Sequence, residues 1–134
     1  MNDFNKNIIA EFRANKGAVG GPFKGAPLLL LTSKGAKSGK EHTTPLMYLP
    51  DGERIAIFAS MGGAPKNPAW YHNVVANPKV RVEAGAESFE ATATVAQGSE
   101  RDDLYARQSK AYPQFAEYQQ KTSRKIPVVI LKRR

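Results

Sequence analysis

Two turns rich in glycine and lysine carry the clearest chemistry in this sequence. The first, residues 34–40 (Lys-Gly-Ala-Lys-Ser-Gly-Lys), places three lysines and two glycines between two predicted strands. Glycines let backbone N–H groups approach a ligand closely, and lysines attract negative charge, so the turn is suited to an anion. Its spacing does not match the GxxxxGK[ST] phosphate loop, and a strand follows it where that loop requires a helix. A solvated basic hairpin is the alternative interpretation.

The second turn, residues 60–67 (Ser-Met-Gly-Gly-Ala-Pro-Lys-Asn), leads from a predicted strand into a predicted helix. Free backbone N–H groups at a helix start, together with Lys66, favour a phosphate or a carboxylate. Connections of this kind also occur where no ligand binds. The sequence alone leaves both interpretations open, although two such turns in one small domain strengthen the functional one.

Aromatic side chains form a third cluster. Trp70 and Tyr71 are neighbours on one predicted helix, and Tyr112, Phe115 and Tyr118 follow at spacings of three. These aromatic residues either pack into the hydrophobic core or form a surface on which the ring of a ligand stacks, and the sequence is compatible with both.

The sequence contains no residue pattern that would catalyse a reaction without a cofactor. The chain has no cysteine, which excludes disulfides, a thiolate nucleophile and cysteine-bound zinc. Its two histidines, His42 and His72, lie too far apart in sequence for an HxxxH metal motif. There is no Ser-His-Asp order and no close acid pair. We predict no metal site, and an enzyme of this sequence would take its reactive group from a cofactor.

Six short runs of strand-forming residues position these turns. In residues 88–96 apolar and polar residues alternate, which is typical of a sheet with one buried face, and Asp51-Gly52 is a strong hairpin signal. We expect six or so antiparallel strands in a small barrel. The runs are Leu28–Thr32, His42–Leu49, Arg54–Ser60, Lys79–Glu83, Ser88–Ala96 and Ile126–Leu131.

Two or three helices interrupt the strands. Asn67-Pro68 predicts the N-cap and first residue of a helix that ends before Asn77. Ser99 and Asp102 predict the start of a second helix, and Pro113 separates it from a third short stretch.

The N-terminal part has a different character. Phe4, Ile8, Ile9 and Phe12 recur at helical spacing, which predicts an amphipathic helix over residues 2–15. Its apolar face docks on the barrel or rests on a lipid surface. A flexible glycine-rich segment follows, so we expect residues 1–26 to precede a barrel domain of residues 27–134.

Twenty lysines and arginines against twelve aspartates and glutamates give a net charge of +8. Such an excess points to an anionic small molecule, nucleic acid or an anionic membrane surface. No apolar stretch approaches the roughly 20 residues of a transmembrane helix, and no signal peptide is evident. We expect a cytoplasmic protein, with membrane association through residues 2–15 as a second option.

Several segments together form a specific pattern. They are Leu-Leu-Leu-Thr-x-x-Gly-x-Lys-Ser-Gly over residues 29–39, Pro45-Leu46, Ala-Ser-x-Gly-Gly-Ala-x-Lys-Asn-Pro-x-Trp-Tyr-x-Asn over residues 59–73, Ala-Asn-Pro-Lys-Val over residues 76–80, Tyr112-Pro113 with Tyr118, and Arg124-x-Ile126-Pro127. This pattern resembles the deazaflavin-dependent nitroreductase family, which includes quinone reductases that use reduced coenzyme F420.

The resemblance implies a mainly β, α+β protein with the split β-barrel fold of FMN-binding proteins. It implies coenzyme F420 as cofactor and a hydride acceptor such as a quinone, a nitroaromatic or an activated enone, and it implies no nucleic-acid partner. F420 ends in a phosphodiester and an oligoglutamate tail, so both basic turns would meet negative charge, with charge-assisted hydrogen bonds.

The same resemblance assigns site residues. Ser60, Tyr112 and Tyr118 are the candidate catalytic residues, and Met47, Trp70, Tyr112 and Phe115 the candidate substrate contacts. The candidate cofactor-binding residues are Lys34, Ala36, Lys37, Ser38, Gly39, His42, Thr44, Pro45, Ser60, Met61, Gly62, Gly63, Lys66, Asn67, Pro68, Trp70 and Tyr71.

This sequence departs from the family at five of these positions. Ala36 and His42 stand where relatives often have arginine, and Met61 where they often have lysine; Met47 and Phe115 replace tyrosines. The resemblance then implies fewer contacts to the tail and a more apolar pocket. Two alternatives remain: a split-barrel oxidoreductase that binds FMN, and a non-catalytic protein that binds anionic lipid or nucleic acid.

Overall fold

Six antiparallel strands close into a barrel with the strand order β1-β2-β3-β6-β5-β4. The computed structural model describes residues 3–15 and 27–134. The strands are β1 (Leu28–Lys34), β2 (Glu41–Asp51), β3 (Arg54–Phe58), β4 (Lys79–Ala84), β5 (Glu87–Val95) and β6 (Val128–Arg133). The helices are α1 (Asp3–Ala14), α2 (Ala69–Ala76), α3 (Gly98–Ala111) and α4 (Gln114–Gln120), with a short 3₁₀ helix at Met61–Gly63. All six predicted strands and their antiparallel pairing are confirmed.

Alternation along the strands fills the barrel interior. Leu29 and Leu31 on β1, Val80 and Val82 on β4 and their counterparts on the other strands form one buried cluster inside the barrel. Trp70 and Val74 of α2 belong to the same cluster, so this helix closes one end of the barrel.

The first four residues of strand β1, Leu28–Leu31, are all leucines because this part of the strand is buried on both faces. Leu29 and Leu31 face the interior, whereas Leu28 and Leu30 pack against α1. Ile8, Ile9 and Phe12 of α1 are buried in that contact, with Phe12 only 1% exposed. The apolar face of the N-terminal helix therefore docks on the barrel. The predicted glycine-rich linker lies outside the described residues.

The other outer face of the barrel is covered by α3 and α4. Ala56 and Phe58 of β3 and Val128 and Ile130 of β6 pack there against the aromatic residues of these helices. Four helices are thus present in the described part of the chain, of which α2, α3 and α4 lie within residues 27–134.

Nine of the twelve predicted strand ends differ from the observed ones by one or two residues, and hydrogen bonds explain two of these differences. Strand β6 begins at Val128 and not at Ile126, because the N–H of Ile126 donates to Gln119 Oε1 at 3.0 Å and its carbonyl accepts from Arg101. Strand β3 ends at Phe58 and not at Ser60. The carbonyl of Ser60 starts the next turn, since it accepts the N–H of Gly63 at 2.9 Å.

The predicted start of α3 was also wrong. Gln97 is its N-cap and the helix begins at Gly98, so Ser99 lies inside the first turn and caps nothing. Asp102 does not close a capping box either, because its carboxylate pairs with Lys125 at 3.0 Å and with Arg101 at 3.2 Å.

Asp51 ties the β2–β3 hairpin to α3. Its carboxylate accepts from Arg54 at 2.6 Å and from Arg107 of α3 at 3.0 Å. Arg54 also donates to Glu100 of α3 at 3.2 Å. The hydrogen bonds from Arg54 and Arg107 hold the pKa of Asp51 below its ordinary value.

We predict that Asp51 stabilises the fold in a pH-dependent way. A lowered pKa in the folded state means that the stabilisation is complete above the unfolded-state pKa of about 4 and is lost as pH falls through the folded-state pKa. Urea unfolding of wild type and Asp51→Asn should show a gap in free energy at pH 7 that shrinks progressively below pH ~4. Glu53→Gln, on the same hairpin, is the control; a gap for Asp51→Asn that stays constant with pH would contradict the prediction.

Candidate active site

A cleft of about 500 Å³ lies between the first basic turn and helix α2. Residues 35–38 and the first part of β2 form one wall, and residues 69–73 of α2 form the other. The cleft brings together six of the predicted cofactor-binding residues: Ala36, Lys37, Ser38, His42, Thr44 and Trp70.

The basic turn is shaped by its own hydrogen bonds. The N–H of Gly35 donates to the carbonyl of Lys40 at 2.7 Å, and the N–H of Gly39 donates back to Gly35 at 3.0 Å. A Cβ atom at Gly35 would lie 2.6 Å from Ser38 Oγ and 3.2 Å from His42 Nε2, so a larger residue would displace these side chains. Gly39 has φ +71°, which glycine adopts at little cost. The turn therefore presents Lys37 from a constrained backbone.

Asn73 fixes this turn to the opposite wall. The N–H of Ala36 donates to Asn73 Oδ1 at 3.0 Å, although 37 positions separate the two residues. Neither Asn73 nor its neighbour His72 is among the site residues predicted from the sequence. Asn73 follows Trp70 by three positions and therefore lies on the same helix face, which is the signal that identifies it.

Trp70 supplies the apolar side of the cleft. It is 5% exposed, packs into the barrel core and lies edge-on to Tyr71, with ring centroids 6.5 Å apart. The cleft thus has a cationic and polar wall facing an aromatic one. Such an arrangement suits a ligand that has a flat ring and a negatively charged extension.

Arg124 holds the second turn in place. Its Nη2 donates to the carbonyl of Ser60 at 3.0 Å, its Nε to the carbonyl of Ala64 at 3.0 Å and its Nη1 to Asn67 Oδ1 at 2.8 Å. Burial lowers the pKa of this guanidinium, and the three acceptors compensate the buried donors. The sequence pattern contained Arg124 but gave it no role.

This contact explains why the predicted cap of α2 was wrong. Asn67 does not cap the helix, because its side-chain oxygen is bound to Arg124; Pro68 is the N-cap and α2 begins at Ala69. Asn67 instead belongs to the turn.

The second turn also contacts α4. Gly63 has φ +85°, and a Cβ there would lie 2.9 Å from the carbonyl oxygen of Tyr118 and 3.0 Å from Lys121 Cβ. Met61 has φ +47°, a conformation that is rare outside glycine, and is 53% exposed. A strained, exposed side chain in a turn otherwise fixed on both sides is typical of a functional segment.

The predicted substrate and catalytic aromatics gather around a separate cluster. Phe115 is 5% exposed and contacts Phe58 and Tyr118 edge-on, with centroids 5.6 Å and 5.2 Å apart. Met47, Tyr112 and Tyr118 are half-buried against this cluster, and none of the four lines the cleft.

Tyr105 anchors that cluster and was missed by the sequence analysis. Its hydroxyl donates to the carbonyl of Phe115 at 2.5 Å, which ties α3 to α4. Burial raises the pKa of Tyr105 to about 12, so the hydroxyl remains a donor at physiological pH. A tyrosine in a predicted helix carries no sequence signal that separates this role from ordinary packing.

Other predicted site residues lie elsewhere. Lys34 lines a different groove, Tyr71 lines a third groove together with Arg101, and Lys66 is exposed. Pro45 pairs with Leu30 of β1, and Pro68 is buried at the start of α2. Gly62 lies within the 3₁₀ helix.

Replacement of Arg124 by lysine should loosen the second turn. Lysine cannot donate to three acceptors in a fixed planar geometry, so we expect a loss of about 2 kcal/mol in the free energy of unfolding. Urea unfolding measures the loss, and the emission of Trp70 in the folded state reports the displaced start of α2. Arg133→Lys, at an exposed arginine paired with Glu87, should change stability by less than about 0.5 kcal/mol. Equal effects of the two substitutions would contradict the assigned role.

Three comparisons with known proteins agree on the relationship. The sequence matches the protein family described as F420H(2)-dependent quinone reductase over residues 5–133. It is 42% identical to an F420H(2)-dependent quinone reductase of Mycobacterium tuberculosis, over 93% of this chain and 87% of that protein.

Comparison with solved structures indicates the same family. A structure of an F420-H2 dependent reductase superposes with a TM-score of 0.73 at 46% identity, covering 79% of this chain and 94% of the other. A domain-swapped dimer superposes equally well, with the same identity, over 79% of this chain and 80% of the other. The resemblance and the split β-barrel fold expected from the sequence are confirmed, and this chain belongs to the F420H2-dependent quinone reductase family.

Proposed function

We propose that this protein is an F420H2-dependent reductase whose acceptor is a quinone. The observation that carries the proposal is the cleft in which the Lys37 turn faces Trp70, found in a chain of this family. In this proposal residues 27–134 form the cofactor-binding domain and residues 1–26 precede it.

The residues of the cleft fit the cofactor. Lys37, Ser38 and His42 line the cleft beside backbone of the tight turn at Gly35, and they would hold phosphate or carboxylate oxygens. Trp70 and Thr44 would lie against the ring system of the cofactor. The volume of about 500 Å³ lies within the range of small-molecule sites.

Bound F420 in its reduced form supplies the hydride for the acceptor. The chain's own part is to hold ring and acceptor together and to stabilise negative charge that develops on the acceptor oxygen. Ser60 is the proposed hydroxyl for this purpose. Its backbone carbonyl is held by Arg124, so the side chain starts from a fixed position two residues after β3.

The aromatic cluster is the proposed acceptor side of the site. Phe115 and Met47 give it an apolar character that suits a quinone with hydrophobic substituents better than a polar nitro compound. Tyr112 and Tyr118 border the cluster with their hydroxyls available to orient the acceptor or donate a proton. The proposal also includes nitroaromatics and activated enones as hydride acceptors.

The position of α1 constrains any membrane role. None of the helices in residues 3–15 and 27–134 is long and apolar enough to cross a bilayer. A peripheral contact through residues 2–15 would require α1 to leave the barrel, because Ile8, Ile9 and Phe12 are buried there. The proposed reaction needs no such contact.

The cofactor can be tested directly. We predict micromolar binding of oxidised F420 and much weaker binding of FMN in parallel fluorescence titrations at equal salt, since FMN carries a single phosphate for the basic turn. Lys37→Gln should weaken F420 binding by about tenfold, the lower end expected for loss of a charge-assisted hydrogen bond. Lys132→Gln, an exposed lysine at the end of β6, is the control.

The outcomes separate the alternatives. Preference for FMN would overturn the cofactor assignment within the same fold. Failure of both cofactors to bind, with binding to anionic vesicles or nucleic acid that falls steeply with salt, would favour the non-catalytic alternative.

Tyr112 can be tested as an acceptor-side residue. Tyr112→Phe should lower kcat with menadione by about tenfold or more while the Kd for F420 stays constant, because the hydroxyl acts on the acceptor and not on the cofactor. Tyr48→Phe, in a groove at another part of the barrel, is the control. Unchanged turnover and unchanged acceptor affinity would remove Tyr112 from the site.

A further inference from the structure

A groove of about 540 Å³ opens at the end of the barrel opposite α2. The β2–β3 hairpin, the β4–β5 hairpin and the last residues of β6 surround it, and we call it the hairpin groove. Trp70 and Val74 of α2 close the other end of the barrel, whereas none of the four described helices lines this one. No residue of the hairpin groove was selected from the sequence as a site residue.

The floor of the hairpin groove is apolar. Its side chains face the barrel interior on five of the six strands, at Tyr48, Ile55, Ala84, Phe89 and Leu131. Leu131 is 1% exposed, but the other four are only half-buried because no described helix covers them. Tyr48 and Phe89 lie on opposite sides of the barrel, since β2 and β5 are three places apart in the closed strand order. A concave apolar surface of this volume is typical of a small-molecule site.

Arg133 supplies a cation at the mouth of this groove. Its guanidinium lies over the ring of Phe89, 4.3 Å from the ring centroid, which orients the guanidinium plane and leaves its edges free for a ligand. One donor, Nη2, bonds Glu87 Oε2 at 3.3 Å, and the remaining donors have no hydrogen-bond partner among residues 3–15 and 27–134. Both side chains of this ion pair are more than half exposed, so the pair is weak and another carboxylate can compete with Glu87.

The other charged residues around the groove are directed elsewhere. Arg54 donates to Asp51 and to Glu100, which both lie outside the groove. Lys132 alternates with Arg133 and therefore extends on the outer side of β6. Glu53 is exposed at the tip of the hairpin. Arg133 is thus the cation that adjoins the apolar floor, and its free donors match the two oxygens of one carboxylate.

We propose that the hairpin groove binds an apolar monocarboxylate, such as a fatty acid of medium chain length. The hydrocarbon part would lie on the floor between Tyr48 and Phe89, and the carboxylate would accept from the free edge of Arg133. Glu53 and Glu87 at the rim disfavour a ligand with several negative charges. The hairpin groove and the cofactor cleft share no lining residue, so the inference goes beyond the proposed function and does not depend on it.

The test is a titration of the full chain with octanoate, octanol and acetate at low salt, followed by amide NMR shifts. Octanoate should bind about tenfold more tightly than octanol, because its carboxylate adds charge-assisted hydrogen bonds. Acetate should not bind at the same concentrations, because it buries no hydrocarbon chain. The amides that shift should include those of Ala84 and Leu131, whereas those of Lys37 and Asn73 in the cleft should not shift.

Three variants assign the carboxylate contact. Arg133→Gln should abolish the preference for octanoate and leave the affinity for octanol as in wild type. Glu87→Gln should tighten octanoate binding about threefold, since it removes the carboxylate that competes for Arg133. Glu117→Gln is the control, because it makes the same change in net charge at an exposed position of α4 and should alter neither affinity.

Other results would overturn the proposal. They are equal affinity of wild type for octanoate and octanol, a preference that survives in Arg133→Gln, equal effects of Glu87→Gln and Glu117→Gln, shifts confined to the cofactor cleft, and no binding of octanoate. Groove amides that shift with protein concentration in the absence of any probe would show instead that a second copy of the chain covers the groove. None of these results involves F420, so the proposed function stands or falls separately.

Discussion

The site depends on one guanidinium. Arg124, in the segment between α4 and β6, donates to both ends and the middle of the turn that joins β3 to α2. This turn leaves the barrel, contacts α4 at Gly63 and leads into α2, which places Trp70 against the barrel core. Irregular backbone satisfies only some of its own carbonyl groups, and here a single side chain with a fixed fork of donors bonds two carbonyls of the turn. The position of α2, and with it one wall of the cleft, follows from that contact.

Cationic side chains and apolar surface lie on different parts of the protein. This separation suits a long ligand that has one charged end and one apolar end. Cationic side chains lie around the 34–40 turn and along β4. Aromatic rings gather under α3 and α4 on another part of the barrel surface. The positively charged residues are spread along the sequence, but folding brings some of them together. The pairing of β1 with β2 and with β4 places lysines from distant parts of the sequence in adjoining cavities.

The barrel was predictable because its signals are local. Alternation, Asp51-Gly52 and the turn glycines depend on near neighbours, and all six strands follow from them. The errors arose where a distant side chain competes for a backbone or capping group: Arg124 for Asn67, Arg101 and Gln119 for Ile126, and Lys125 for Asp102. For the same reason the sequence identified the lysine turn but not Asn73, whose partner Ala36 lies 37 positions away. Long-range hydrogen bonds leave no periodic trace in a sequence.

Closure of the barrel has a consequence for assembly. Each strand has a neighbour on both sides, but β2 pairs with β3 only at residues 48–51, so residues 41–47 have one backbone edge outside the described ladders. Two copies can associate through side chains without disturbing the sheet. Exchange of a strand that is paired on both sides would first break one of the six ladders, whereas a strand of another chain can add beside residues 41–47 without breaking any.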